Sequence, residues 1–108
     1  MRLVSRIEEI ILLSIWRLQD DAYGITILEE VEKATGKTWL TGSIYASLGR
    51  LLKRKLVTSN EGDPSPERGG RRKIYYWLTT EGQKALLEIK RLNAQAWTDL
   101  PAFDIDKK

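Results

Sequence analysis

The chain has 108 residues, 42% of them hydrophobic and 31% charged, which is the size and balance of one compact domain. It contains no cysteine and no histidine, which excludes a disulfide framework, thiolate metal sites, cysteine nucleophiles and imidazole chemistry. No apolar run approaches the ~20 residues needed to span a bilayer, and Glu8 and Glu9 follow Arg2 and Arg6 too closely for a secretory leader. A cytoplasmic protein that is not an enzyme, with no cofactor and no metal, is the expectation.

The net charge of +3 is unevenly spread. Residues 1–36 carry four basic and seven acidic side chains, residues 37–78 nine basic and three acidic, and residues 79–108 five of each. Positive charge concentrated in the middle third is the footprint of a polyanion-binding surface.

Ser5 with Glu8 reads as a capping box opening a first helix. Ile7, Ile10, Ile11, Ile15 and Leu18 form its inner stripe, and Leu12, Leu13 and Trp16 add a second apolar side. Such a helix must be covered on two sides, by the core or by a partner chain. A second helix follows Gly24, with Ile25, Leu28 and Val31 expected inward and Glu29, Glu30 and Lys33 outward; Gly36 supplies a left-handed stop. Thr41 is the expected N-cap of a third helix whose core side is Ile44, Leu48, Leu51, Leu52 and Leu56. Its opposite face carries Ser43, Ala46, Ser47, Arg50 and Arg54.

Val57 to Asn60 reads as a short strand, and Glu61 to Arg71 as a Gly- and Pro-rich loop. Arg72 to Leu78 alternates as a half-buried strand, completing a β-hairpin. Thr80 with Gln83 reads as a second capping box, opening a helix to Trp97 that Pro101 cannot extend. The expected fold is mainly α with a small β-hairpin. It is a winged helix-turn-helix over residues 1–79, a C-terminal dimerisation helix over 80–97, and a weakly patterned, frayed tail over 98–108. The segment Gly36 to Leu40 is longer than the tightest helix-turn-helix turns, which suits a winged variant.

The third helix and the wing together read as a DNA-binding surface. Thr41, Gly42, Ser43, Ala46 and Ser47 are small enough for close approach to a groove, and Arg50 and Arg54 add cations along the flank. The helix start offers backbone N–H groups to phosphate. Arg68, Arg71, Arg72 and Lys73 give the wing its charge around Gly69 and Gly70. A second reading makes the chain a winged-helix module for protein–protein assembly, without DNA binding. The basic third helix argues against it, since a docking face would be apolar at Ser43, Ser47 and Arg50.

The set Tyr23–Gly24, Gly42–Ser43–Ile44–Tyr45, Leu48, Arg50–Leu51, Gly69–Gly70–Arg71–Arg72–Lys73, Tyr75–Tyr76, Leu78–Thr79 and Glu81–Gly82 resembles the PadR family of bacterial transcriptional regulators. The resemblance covers about residues 5 to 97 and is closest to small members with one C-terminal helix. Ala46 stands where the family commonly has proline, and Gly49 where a polar or basic residue is usual. The resemblance implies a homodimeric repressor, dimer contacts from the last helix, and release by an effector. It also implies a phosphate contact for the Tyr45 hydroxyl; the apolar stripe beside Tyr45 equally suits a core-edge role. Tyr23 reads as packing.

Leu12, Leu13 and Trp16 on the first helix, and Leu86, Leu87, Asn93 and Trp97 on the last, leave surplus apolar surface that one dimer interface would cover. A two-fold dimer implies a double-stranded operator with an inverted repeat. Some members of the resembled family hold flat aromatic effectors at such an interface, which makes Trp16 and Trp97 candidates for a small aromatic effector.

Overall fold

The computed structural model describes residues 3–64 and 72–106. Helix α1 spans Arg6–Leu18, followed by a 3-10 turn at Gln19–Asp21, α2 at Gly24–Thr35 and α3 at Thr41–Lys53. Strands β1 (Val57–Pro64) and β2 (Arg72–Leu78) form an antiparallel hairpin, and α4 runs from Thr80 to Ala96. This is the expected winged helix-turn-helix with one further helix.

Helix α1 begins with the expected capping box. The Ser5 N–H donates to Glu8 Oε1 at 2.8 Å, and the Glu8 N–H donates to Ser5 Oγ at 3.2 Å. Its buried side is Ile11, Leu12 and Ile15, joined by Ser14, whose hydroxyl donates to the Ile10 carbonyl at 2.8 Å. That bond lets a polar side chain sit in the core without an unsatisfied donor. Leu12 is completely buried by its own chain, so its expected place in a dimer interface is corrected. Leu13 and Trp16 do remain exposed.

Helix α2 turns differently from expectation. Ile27 and Val31 are buried, whereas Ile25 is 48% exposed. The reason lies at Gly24, which seats against the Tyr45 ring so closely that any Cβ there would overlap the phenol. With Gly24 inward, positions three and seven residues on, Ile27 and Val31, share its face. The helix ends at Gly36, which has φ 67 as expected. Trp39 then pins the connecting turn, its indole donating to Thr35 Oγ1 at 2.8 Å and its backbone N–H to Glu32 Oε2 at 2.9 Å.

The N-cap of α3 is Leu40, not Thr41, and no side chain caps it. The N-cap of α4 is Thr79, not Thr80. The Thr79 hydroxyl accepts from the Gly82 N–H at 3.0 Å and donates to the Lys55 carbonyl at 2.7 Å, tying α4 to the turn after α3. Strand β1 reaches Pro64, past the expected end at Asn60, because Asn60 and Glu61 pair with Tyr75 and Ile74. On the other edge of β2, Tyr23 bridges to Tyr75, and the Tyr76 N–H donates to the Ala22 carbonyl at 2.8 Å. The hairpin is thereby fastened to the chain between α1 and α2.

Two glycines give opposite predictions. A Cβ at Gly82 would overlap the Leu56 carbonyl oxygen, which is backbone and cannot swing aside, whereas a Cβ at Gly42 meets nothing within 4 Å. Gly82→Ala is expected to destabilise by about 1–3 kcal/mol in denaturant unfolding, the usual cost of overpacking. Gly42→Ala is expected to be neutral or stabilising by up to ~1 kcal/mol, because alanine is the better helix former.

Candidate nucleic-acid interface

With Leu40 as N-cap, helix α3 starts without a side chain over its first turn. The Ser43 and Ile44 N–H groups both donate to the Leu40 carbonyl, and helix geometry leaves those of Thr41 and Gly42 directed outward. Thr41, Gly42, Ser43, Tyr45, Ala46, Gly49, Arg50 and Lys53 form the exposed face. Gly49, like Gly42, has open space where a Cβ would project. The centre of this face is therefore smooth, and the helix backbone can approach a groove closely.

Ser47 does not belong to that face. It is 3% exposed, and its hydroxyl accepts from Arg50 Nη2 at 2.9 Å, so its expected contact with DNA is corrected. The stripe drawn through Ser43, Ser47, Arg50 and Arg54 bends inward at its middle, and the outward line runs one residue over, through Gly42, Ala46, Gly49 and Lys53. Sequence reasoning passed over Lys53. Its position eleven residues from Gly42 on the helix period was the available signal.

Arg50 and Arg54 are directed toward the start of α1. Arg50 Nε lies 3.6 Å from Glu8 Oε2, and Arg54 donates to the Leu3 carbonyl at 3.4 Å. Glu8 is 7% exposed. Burial by itself raises its carboxyl, but the Ser5 N–H and hydroxyl and then the two guanidiniums outweigh that and leave it below the ordinary value. The two arginines thus hold α3 against α1 and retain one exposed side each toward solvent or a phosphate.

Tyr45 joins three elements. Its ring packs on Gly24 at the start of α2, half of it exposed. Burial, and secondarily Tyr45 itself, pushes the phenol of Tyr76 on β2 above its ordinary value. The core-edge role is therefore present, and the exposed half of the ring borders the open face of α3.

On the wing, Lys73 holds its ammonium 4.3 Å from the centre of the Tyr23 ring, a cation–π contact. Tyr23 meets Tyr75 edge-on at 5.5 Å, Tyr75 lies 6.2 Å from Trp77, and the Trp77 indole donates to Asp20 Oδ1 at 3.1 Å. This ladder sets the wing against the α1–α2 connection. Arg72 opens β2, its side chain outside what is described, and Arg68 and Arg71 lie outside the described residues. Tyr23, Tyr75 and Trp77 were legible only as alternation and packing; the charge–ring pairing was not.

The expected interface and effector residues fall into two groups. Leu13, Trp16, Leu86, Leu87 and Asn93 line one groove of about 480 Å³ between α1 and α4, with Glu9 and Lys90. Trp97 is not among them; it caps the far end of α4 and meets Phe103 edge-on at 6.1 Å. One chain does not bring Trp16 and Trp97 together.

Among the described residues, no helix is long and apolar enough to cross a membrane, and no group of His, Cys, Asp or Glu is arranged to hold a metal ion.

A winged helix-turn-helix with an open recognition helix defines a DNA-binding regulator. The "Transcriptional regulator PadR-like family" matches residues 11–88. The chain belongs to this family of transcriptional regulators. No curated protein matches it. A PadR-like transcriptional regulator from Bacillus cereus is 28% identical, with a TM-score of 0.69 over 85% of this chain and 84% of that one. A PadR family transcription regulator from Clostridium difficile is 29% identical, with a TM-score of 0.65 over 85% and 90%. RosR of H. salinarum, 24% identical, shares the fold with a TM-score of 0.73 over 93% and 83%.

The Glu8 arrangement makes a pH prediction. A carboxyl held below its ordinary value of 4.5 stabilises the fold fully above that pH and loses the contribution as pH falls through the folded-state value. Glu8→Gln is expected to unfold more readily than the native chain at neutral pH, with the difference shrinking in acid. Thermal unfolding of both chains across the acid range checks this; a difference that does not vary with pH would contradict it.

Proposed function

We propose that the protein is a cytoplasmic homodimeric repressor of transcription. In this reading it binds an inverted-repeat operator through α3 and the wing, and a small flat aromatic effector at the dimer interface releases it. The observation that carries the DNA-binding part is the uncapped, smooth start of α3, in a chain of a family that regulates transcription. Thr41, Gly42, Ser43 and Tyr45 would meet the groove and its rim. Arg50, Arg54 and Lys53 would flank it, and Arg68, Arg71, Arg72 and Lys73 would lie along the backbone beside it. Ser47 has no part in the contact.

Support for the dimer comes from the α1–α4 groove, where Leu13, Trp16 and Leu87 are 40%, 50% and 67% exposed. Leu86, half-buried beside them, and Asn93 complete the surface. Two recognition helices on a two-fold axis would read half-sites about 34–36 Å apart. The effector would lie beside Trp16, with Trp97 supplied by the second copy.

Two measurements test the reading. The logarithm of affinity for an operator selected from random DNA is expected to fall linearly with log salt, by about 0.9 per phosphate neutralised. Arg72→Ala should reduce that slope by about one without changing sequence preference; a slope near zero would sink DNA binding. Leu87→Glu places a charge on a side chain the monomer does not bury. Sedimentation is expected to show this variant folded but monomeric, with operator binding lost. A native chain that sediments as a monomer would overturn the dimer.

A further inference from the structure

Arg50 stands on the outward face of α3, yet two almost fully buried side chains hold its head group. Glu8 Oε2 lies 3.6 Å from its Nε, and Ser47 Oγ accepts from its Nη2 at 2.9 Å. Glu8 is itself fixed by the capping box of α1, and Ser47 sits on the buried side of α3 with Ile44 and Leu48. Nε and Nη2 lie on one edge of a planar, rigid guanidinium, and a second edge remains at Nη1. Neither contact uses Nη1, and the side chain is 57% exposed. The head group is gripped along its inner edge and presented along its outer one.

The charge balance leaves this group attractive to an anion. Arg54, one turn farther along α3, lies within electrostatic reach of the same carboxylate, and it donates to the Leu3 carbonyl at 3.4 Å. Two cations share one carboxylate, so the cluster stays positive. Glu8 therefore orders its arginines without cancelling them.

We infer that Glu8 and Ser47 are positioning residues for DNA binding, setting the Arg50 guanidinium so that its outer edge meets one backbone phosphate beside the groove that α3 enters. Neither touches DNA; both act through Arg50. This deepens the DNA-binding reading above, on which it rests. An unrestrained arginine gives up rotamer freedom when it clamps a phosphate, and one already held gives up less. A phosphate contact of fixed direction also fixes the register of a helix on the duplex. On DNA of unrelated sequence α3 has no such register, so the grip contributes nothing there and the Glu8 charge only weakens attraction.

The substitution Glu8→Gln separates grip from charge, because glutamine can still close the capping box while the anionic half of the ion pair is lost. Were Glu8 only a charge, its removal would strengthen binding to every duplex. Positioning predicts opposite signs instead. Affinity for an operator selected from random DNA is expected to fall about three- to tenfold, the scale of one hydrogen bond, while affinity for an unrelated duplex of equal length holds or rises. Both are measured well below the unfolding temperature of the variant. Ser47→Ala, which leaves the capping box intact, is expected to lower operator affinity about threefold by the same loss and to leave the unrelated duplex unaffected. In an Arg50→Ala background neither substitution should change operator affinity further, whereas a general defect in packing would persist there. Operator and unrelated duplex both gaining affinity in Glu8→Gln, or losses undiminished without Arg50, would overturn the positioning role and leave DNA binding standing. A native chain with no affinity for DNA of any sequence would overturn both.

Discussion

Helix α1 cannot be removed from any part of this molecule without exposing apolar surface. It touches α2, α3, β2 and α4, and Ile11, Leu12 and Ile15 are sealed on all sides. A helix this apolar is stable only when its inner side is enclosed, and the short connections pack four elements against that side. Ser14, the polar side chain at its centre, returns its hydroxyl to the helix's own backbone, so no donor is orphaned there.

From that position α1 faces both candidate surfaces. Glu8, on one side, meets the guanidiniums that steady α3. Glu9, Leu13 and Trp16, on another, form a wall of the groove beside α4. A small rotation or shift of α1 would therefore be felt at the recognition helix and at the groove together, because a close-packed core moves by discrete repacking and does not yield smoothly. The wing is held separately, through Tyr76 on Ala22 and Trp77 on Asp20, both on the segment that leaves α1. Recognition helix and wing are thus referred to one helix.

Most of the fold was legible in the sequence because periodicity and caps agree there: Ser5 with Glu8, Gly36, and the alternation of β2 all stand where the pattern puts them. The misreadings have a common cause. Ile25, Leu12 and Ser47 were assigned to faces from their neighbours along the chain, and the packed structure sets those faces differently. Gly24 under Tyr45 turned α2, enclosure by the surrounding elements took Leu12, and Ser47 lies buried with its hydroxyl under the Arg50 guanidinium. The candidate interface was legible as composition, small residues and cations, but not as geometry. Nothing in the spacing of Arg50 and Arg54 discloses that a buried carboxylate at Glu8 holds them. Nor does the sequence disclose that Lys73 rests over the ring of Tyr23.

The central claim is that the open face of α3 and the wing meet DNA while the α1–α4 groove does not. Backbone hydrogen exchange of the native protein, with and without an operator selected from random DNA, tests it most directly. Slowed exchange is expected at the start of α3 and along β1 and β2, with no change in the half of α4 that lines the groove. Protection confined to α1 and α4, with α3 exchanging as before, would contradict it.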